Sequence, residues 1–179
     1  MESMAVPCTP DGGKASLMTA RSRSAALVLG AVLATTLAPG TANAQVDPDP
    51  AVETLRVLEL TNGHRAEAGC PALTPNPQLV ASAQAHSDDM AAQNYFSHTG
   101  KDGSNPGERM ARAGFVGRSW AENIAAGYRD AETTVRQWMN SEGHRKNILN
   151  CDLRELGVGF VSKPGTKYKT YWTQNFGTR

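Results

Sequence analysis

The sequence predicts an α+β domain in which helices come first and a pair of strands closes the fold. Three observations carry this. Residues 52–68 and 77–94 place apolar side chains at helical spacing. Leu156-Gly157-Val158-Gly159-Phe160-Val161 and the stretch from Tyr168 to Phe176 read as strands on either side of a Pro164-Gly165 turn. No internal repeat or low-complexity tract follows residue 44. Helices that precede the strands, rather than alternating with them, imply helices packed on a small antiparallel sheet.

The first 44 residues read as a secretory leader. Lys14, Arg21 and Arg23 form a basic region, and residues 25–38 are an apolar and small-residue run. Pro39-Gly40 breaks that run, and Ala42-Asn43-Ala44 is an A-x-A cleavage site. Cleavage is expected after Ala44. Translation starting at Met18 or Met4 would give a leader of more ordinary length, and Cys8 would be discarded with it. The run is shorter than the roughly 20 apolar residues a membrane span needs, and no cysteine near the cleavage point could carry a lipid. A secreted protein without a stable membrane anchor is therefore expected. Beyond Ala44 the chain carries fifteen basic and fifteen acidic residues. That neutral balance argues against nucleic acid as a partner. Residues 45–179 suffice for one domain, expected to be a monomer.

Cys70 and Cys151 remain after the leader. In an oxidising compartment a disulfide between them is the default reading, closing a loop of about 81 residues. Two free buried thiols or a metal pair are the alternatives.

Taken in order, residues 45–51 (QVDPDPA) are a short linker, and the domain occupies 52–179. The first helix, 52–68, has Val52, Leu55, Leu58 and Asn62 on one stripe and ends at Gly69. Asn76-Pro77 is an N-cap followed by a first helical position, opening a helix to about Asn94. Its inner face is Leu79, Ala83, His86 and Met90, so His86 is expected as a core histidine with one hydrogen-bond partner. Tyr95 to Ser104 is a loop. Asn105-Pro106 starts a short helix over 107–113, and 115–126 is a bend followed by an extended segment. Asp130 caps a helix through about Asn140, with Val135, Trp138 and Met139 inward. Gly157 and Gly159 would let another backbone approach the first strand.

The chemistry concentrates in Trp138 to Cys151 (WMNSEGHRKNILNC) and in two earlier segments, Tyr95 to Gly100 and Trp120 to Ala125. His98, Glu122 and His144 are expected to converge across one cleft. Two neutral imidazoles and a carboxylate suit a divalent metal such as Zn²⁺. The other reading is a buried hydrogen-bonded network that holds loops together. No H-E-x-x-H is present. Ser97 and Ser141 adjoin the histidines, but neither lies in a strained nucleophile elbow. The three tryptophans are expected as core or cleft wall rather than as a carbohydrate platform, a reading that an exposed edge would change.

Six segments occur in a characteristic order: Phe96-Ser97-His98-Thr99, Trp120 to Ala125, Trp138 to Ser141, Gly143 to Leu149, Gly157-Val158-Gly159, and Tyr171 to Gly177. In this the chain resembles the CAP superfamily (cysteine-rich secretory proteins, antigen 5 and pathogenesis-related 1 proteins), and within it the bacterial SCP-like extracellular branch. The resemblance implies an α-β-α sandwich, with a three-stranded antiparallel sheet between helical layers. It also implies a cleft of two histidines and two acidic residues. His98, Glu122 and His144 match three of these. Where animal and plant members place the second acid this chain has Ser141, and Glu142 stands one residue further on, reaching either the cleft or solvent. Three functions remain open. One is a secreted, non-catalytic binding module for an extracellular ligand (lipid or sterol, cell-wall component or protein). Another is a metal-dependent hydrolase of peptide or cell-wall substrates with Glu122 as base. The last is a structural scaffold with a vestigial cleft.

Overall fold

A computed structural model describes residues 48–179. The expected leader, 1–44, and the first residues of the linker lie outside them. Among the described residues no helix is long and apolar enough to cross a membrane.

Helix α1 spans Pro50–Glu67, capped by the Asp49 side chain and led by proline at its first position. Its buried face is Val57, Thr61 and Arg65, whereas Val52 and Leu55 are exposed. The stripe drawn from apolar spacing is thus rotated, because polar side chains on this helix have buried partners. Arg65 is fully buried. It donates to the carbonyls of Pro71, Ile148, Asn150 and Leu153 at 2.8–3.0 Å, satisfying backbone acceptors that burial would otherwise strand. Cys70 and Cys151 form a disulfide in the same region, with Cα atoms 4.9 Å apart.

A two-residue strand, β1 (Thr74–Pro75), precedes α2 (Pro77–Ala92), whose Asn76 cap accepts from Gln78 N and Leu79 N. The predicted inner face of α2 is buried as read from the sequence: Leu79, Ala83, His86 and Met90. Helix α3 (Pro106–Arg112) opens with a reciprocal capping box between Asn105 and Glu108. Strand β2 (Ser119–Ala126) follows. Next come α4 (Ala131–Asn140), capped by Asp130, and α5 (Glu142–Ile148). Strands β3 (Glu155–Ser162) and β4 (Thr170–Thr178) complete the chain.

The sheet order is β1-β3-β4-β2, with β4 antiparallel to both of its neighbours and β1 added in parallel to β3. The expected three antiparallel strands are therefore joined by a fourth, very short one. Alternation along β4 divides the core. Trp172, Gln174 and Phe176 turn to the α1 and α4 side, where Trp172 stacks on Phe160 at 4.0 Å and Gln174 donates to Thr61. Tyr171, Thr173 and Asn175 turn to α2, with Tyr171 against Met90 and Thr173 bonded to Ser87. This is the α-β-α sandwich.

The strand glycines fix the distance between α2 and the sheet. A Cβ on Gly157 would lie 2.1 Å from the carbonyl carbon of Leu79, and one on Gly159 would lie 2.4 Å from that of Ala83. Helix backbone thus occupies the space a side chain would fill. Gln84 joins the two elements further, donating to Phe160 O and accepting from Phe160 N, both at 3.1 Å.

Candidate functional site

Strand β2 carries Glu122 on the face turned to α2, and its side chain is 1% exposed. A carboxylate so buried needs donors for both oxygens, and it has them. His98 Nδ1–H donates to Oε1 at 2.8 Å, and Arg109 Nη2 donates to Oε2 at 2.8 Å. The Asn175 amide, oriented to satisfy both of its ends, adds a bond to Oε2 at 3.2 Å and accepts from Ala83 N at 3.2 Å. The carboxylate is held from three sides.

Arg109 is the residue the sequence reading missed. Within α3 (PGERMAR) it resembles any solvated arginine near a helix C-terminus, yet its side chain is only 11% exposed. Its Nη1 donates to the carbonyls of His98 and Ser104, both at 2.9 Å. One guanidinium therefore fixes the loop that bears His98 and the strand that bears Glu122. No periodicity or motif in the sequence marks it.

His98 sits on the loop after α2 with half of its side chain exposed. Because Nδ1 donates to Glu122, the neutral ring keeps its lone pair on Nε2. His144 lies in α5, which is tied to β2 by side-chain amides. Asn123 Nδ2 donates to His144 O at 3.2 Å and to Gln174 Oε1 at 3.1 Å, and Asn147 Nδ2 donates to Asn123 Oδ1 at 2.8 Å. Burial is the main cause that pushes the His144 imidazole below its ordinary value, and the neighbouring His98 acts in the same direction. Near neutral pH His144 is therefore uncharged.

Glu142 occupies the first turn of α5 and is exposed. Ser97 Oγ accepts from Thr99 N at 3.0 Å, closing a local turn. Ser141 bounds α5 without a side-chain cap bond. Trp138 and Trp172 are core residues whose indole N–H groups bond to Ile124 O and Tyr128 O. Trp120 is 49% exposed, with its ring over Gly107, where a Cβ would come within 2.7 Å of it. Among the described residues, no three His, Cys, Asp or Glu side chains are grouped so as to hold a metal ion.

This fold can be compared with known proteins. The profile of the cysteine-rich secretory protein (CAP) family matches residues 58–176. The chain belongs to the CAP family. The uncharacterized protein YkwD of Bacillus subtilis (strain 168) is 41% identical to this CAP chain over 121 residues, which are 68% of this chain and 45% of YkwD. The uncharacterized membrane protein YlbC of the same organism is 39% identical over 121 residues, 68% of this chain and 33% of YlbC. The chain thus spans less than half of either relative. Among solved structures, an extracellular SCP-domain protein of Bacillus anthracis str. Ames superposes with a TM-score of 0.66 at 35% identity, covering 73% of this chain and 41% of that one. An outer surface protein of Borrelia burgdorferi shares the fold at a TM-score of 0.67 and 19% identity, covering 74% of this chain and 96% of that one. Structural neighbours of this CAP domain are thus extracellular or surface proteins.

Proposed function

We propose that this CAP chain is an exported binding domain that works through the imidazoles of His98 and His144, with Glu122 as their positioning partner and not as a catalytic base. The observation that supports this is the burial of the Glu122 carboxylate with a donor already on each oxygen. A general base needs a lone pair within reach of a substrate proton. Here one oxygen takes His98 and the other takes Arg109, each at 2.8 Å, inside the protein. A carboxylate that accepts Nδ1–H fixes the ring's tautomer and raises the basicity of its other nitrogen.

On this proposal two imidazoles, Nε2 of His98 and the ring of His144, would be the protein ligands of a divalent metal such as Zn²⁺. Glu122 orients the first ligand and is not itself one. Two protein ligands leave coordination positions open, so a bound Zn²⁺ would supply a Lewis-acidic attachment point for an oxygen or nitrogen of the ligand. Exposed aromatic surface on the loop that bears His98 supports a lipid or sterol over a polar ligand. Phe96 is 41% exposed two residues before His98 and packs on Tyr168 at 5.7 Å. Export is supported by the leader-like residues 1–44 and by the extracellular and surface relatives.

The test is calorimetric titration of ZnCl₂ into the chelator-treated protein, with His98→Ala/His144→Ala as control. One-to-one binding at micromolar or tighter affinity, lost in the control, is expected. Absence of binding in a folded protein would leave the pair a structural network. Hydrolysis of a peptide or cell-wall substrate, abolished by Glu122→Gln with the fold intact, would overturn the non-catalytic reading.

A further inference from the structure

A second surface, independent of the reading given for His98 and His144, lies where the loop after α2 meets the turn between β3 and β4. Asn94 joins the two, with its backbone in the left-handed region at φ 54°. Its side-chain carbonyl accepts from Lys167 N at 2.8 Å and from the Tyr171 hydroxyl at 3.4 Å. The turn is also closed on itself. Lys163 N donates to Lys169 O at 2.6 Å, and Thr166 Oγ1 donates to Lys163 O at 2.9 Å while accepting from Lys169 N at 3.1 Å. This end of the sandwich is a built surface.

Aromatic rings run across it. Phe96, 41% exposed, packs on Tyr168 at 5.7 Å, and Tyr168 meets Tyr171 edge-on at 5.9 Å. Cations flank the rings. Lys167 Nζ lies 5.0 Å from the Tyr168 ring and Lys101 Nζ 5.1 Å from that of Tyr95. Lys163 and Lys169 are exposed on the same turn. None of these four lysines has an ion-pair partner among the described residues. Acid is missing from both segments, with no Asp or Glu between Met90 and Lys101 or between Leu156 and Arg179. Asp89, which reaches Tyr95 from α2, accepts from Tyr95 and Gln93, and Asp102 is paired with Arg112. A chain of balanced charge thus carries a local positive excess around an exposed phenyl ring.

That combination decides between occupants. A soluble polyanion would use the lysines and leave Phe96 idle. An apolar partner would cover the rings and leave the lysines unpaired. A bilayer surface uses both, because aromatic rings settle at the headgroup level and lysines meet the lipid phosphates. We propose that this end of the domain docks on a membrane surface rich in anionic lipid. Phe96 enters the headgroup layer, and Lys163, Lys167 and Lys169 face the phosphates. Contact of this kind is peripheral and weakens with salt.

The experiment is flotation of the purified protein with vesicles of phosphatidylcholine alone or mixed equally with phosphatidylglycerol. Partitioning onto the mixed vesicles is expected to exceed that onto phosphatidylcholine by about tenfold or more and to fall as salt rises. Lys163→Gln/Lys167→Gln/Lys169→Gln, at exposed positions, should weaken it by about 100-fold. Phe96→Ala should weaken it by about fivefold at unchanged charge, with the circular-dichroism spectrum of each variant kept. His98→Ala/His144→Ala should bind vesicles as the wild type does, whatever its affinity for Zn²⁺. A triple-lysine variant that partitions like the wild type would overturn the proposal. So would a loss confined to the lysine variant with Phe96→Ala unaffected, which would make the surface a polyanion site. Vesicle binding abolished in His98→Ala/His144→Ala would assign the lipid to the imidazoles and overturn it as well.

Discussion

Arg109 and Glu122 meet at 2.8 Å where α3 abuts β2, with the carboxylate 1% and the guanidinium 11% exposed. An ion pair this deep gains little net stability over an apolar contact, but loss of one partner strands the other. Arg109→Met is therefore expected to lower the unfolding free energy by about 3–5 kcal/mol, measured by urea denaturation. Arg109→Lys should recover only part of this. A single ammonium cannot reach Glu122, His98 O and Ser104 O in the fork geometry that the guanidinium uses.

Gly157 tests the close approach of helix and sheet. Its missing side chain leaves room for the α2 backbone, which cannot rotate away as a flexible side chain would. Gly157→Ala should destabilise by about 3 kcal/mol or prevent folding. Gly143→Ala, at a position with nothing within 4 Å, should change stability by less than about 1 kcal/mol. Circular-dichroism melts of the two variants compare them directly.

The Cys70–Cys151 bridge closes 81 residues. Cys70→Ser/Cys151→Ser should lose about 2–5 kcal/mol, and its urea midpoint should then ignore dithiothreitol. A wild-type midpoint equally indifferent to reductant would remove the bridge from the stability of the domain.

Acid should weaken the fold through two histidines. Burial is the main cause holding both His86 and His144 below the ordinary imidazole value. For a base whose folded value is depressed, the unfolded chain takes up protons first. Stability is full above the unfolded value of about 6.5 and is lost as pH falls from there toward the folded values, flattening below them. Unfolding curves from pH 7.5 to 5 should show this slope, and His86→Gln/His144→Gln should reduce it.

Much of the architecture was legible because its signals are local. The Asn76 and Asp130 caps, the inner face of α2 and the paired strand glycines each depend on side-chain size or on hydrogen bonding within a few residues. The buried stripe of α1 is not legible from apolar spacing because Thr61 and Arg65 are buried for reasons that lie elsewhere: Gln174 for one, and three distant carbonyls, with that of nearby Pro71, for the other. Strand β1 is two residues long and carries no periodicity at all. At the site, His98 and Glu122 stood out as ionisable groups within aromatic and apolar segments. Arg109 did not, since its partners lie 5 to 13 residues away on a loop and a strand that only the fold brings together.

The sheet order also constrains when this chain can fold. The strand that every other long strand pairs with is β4, and it is the last to be synthesised. Neither β2 nor β3 has an antiparallel partner until residues 170–178 have left the ribosome. During synthesis the helices can form while the sheet cannot, so the exposed edges of β2 and β3 are an aggregation hazard that persists until β4 arrives. The same delay keeps the polypeptide threadable, because it cannot close its sheet before β4 is made.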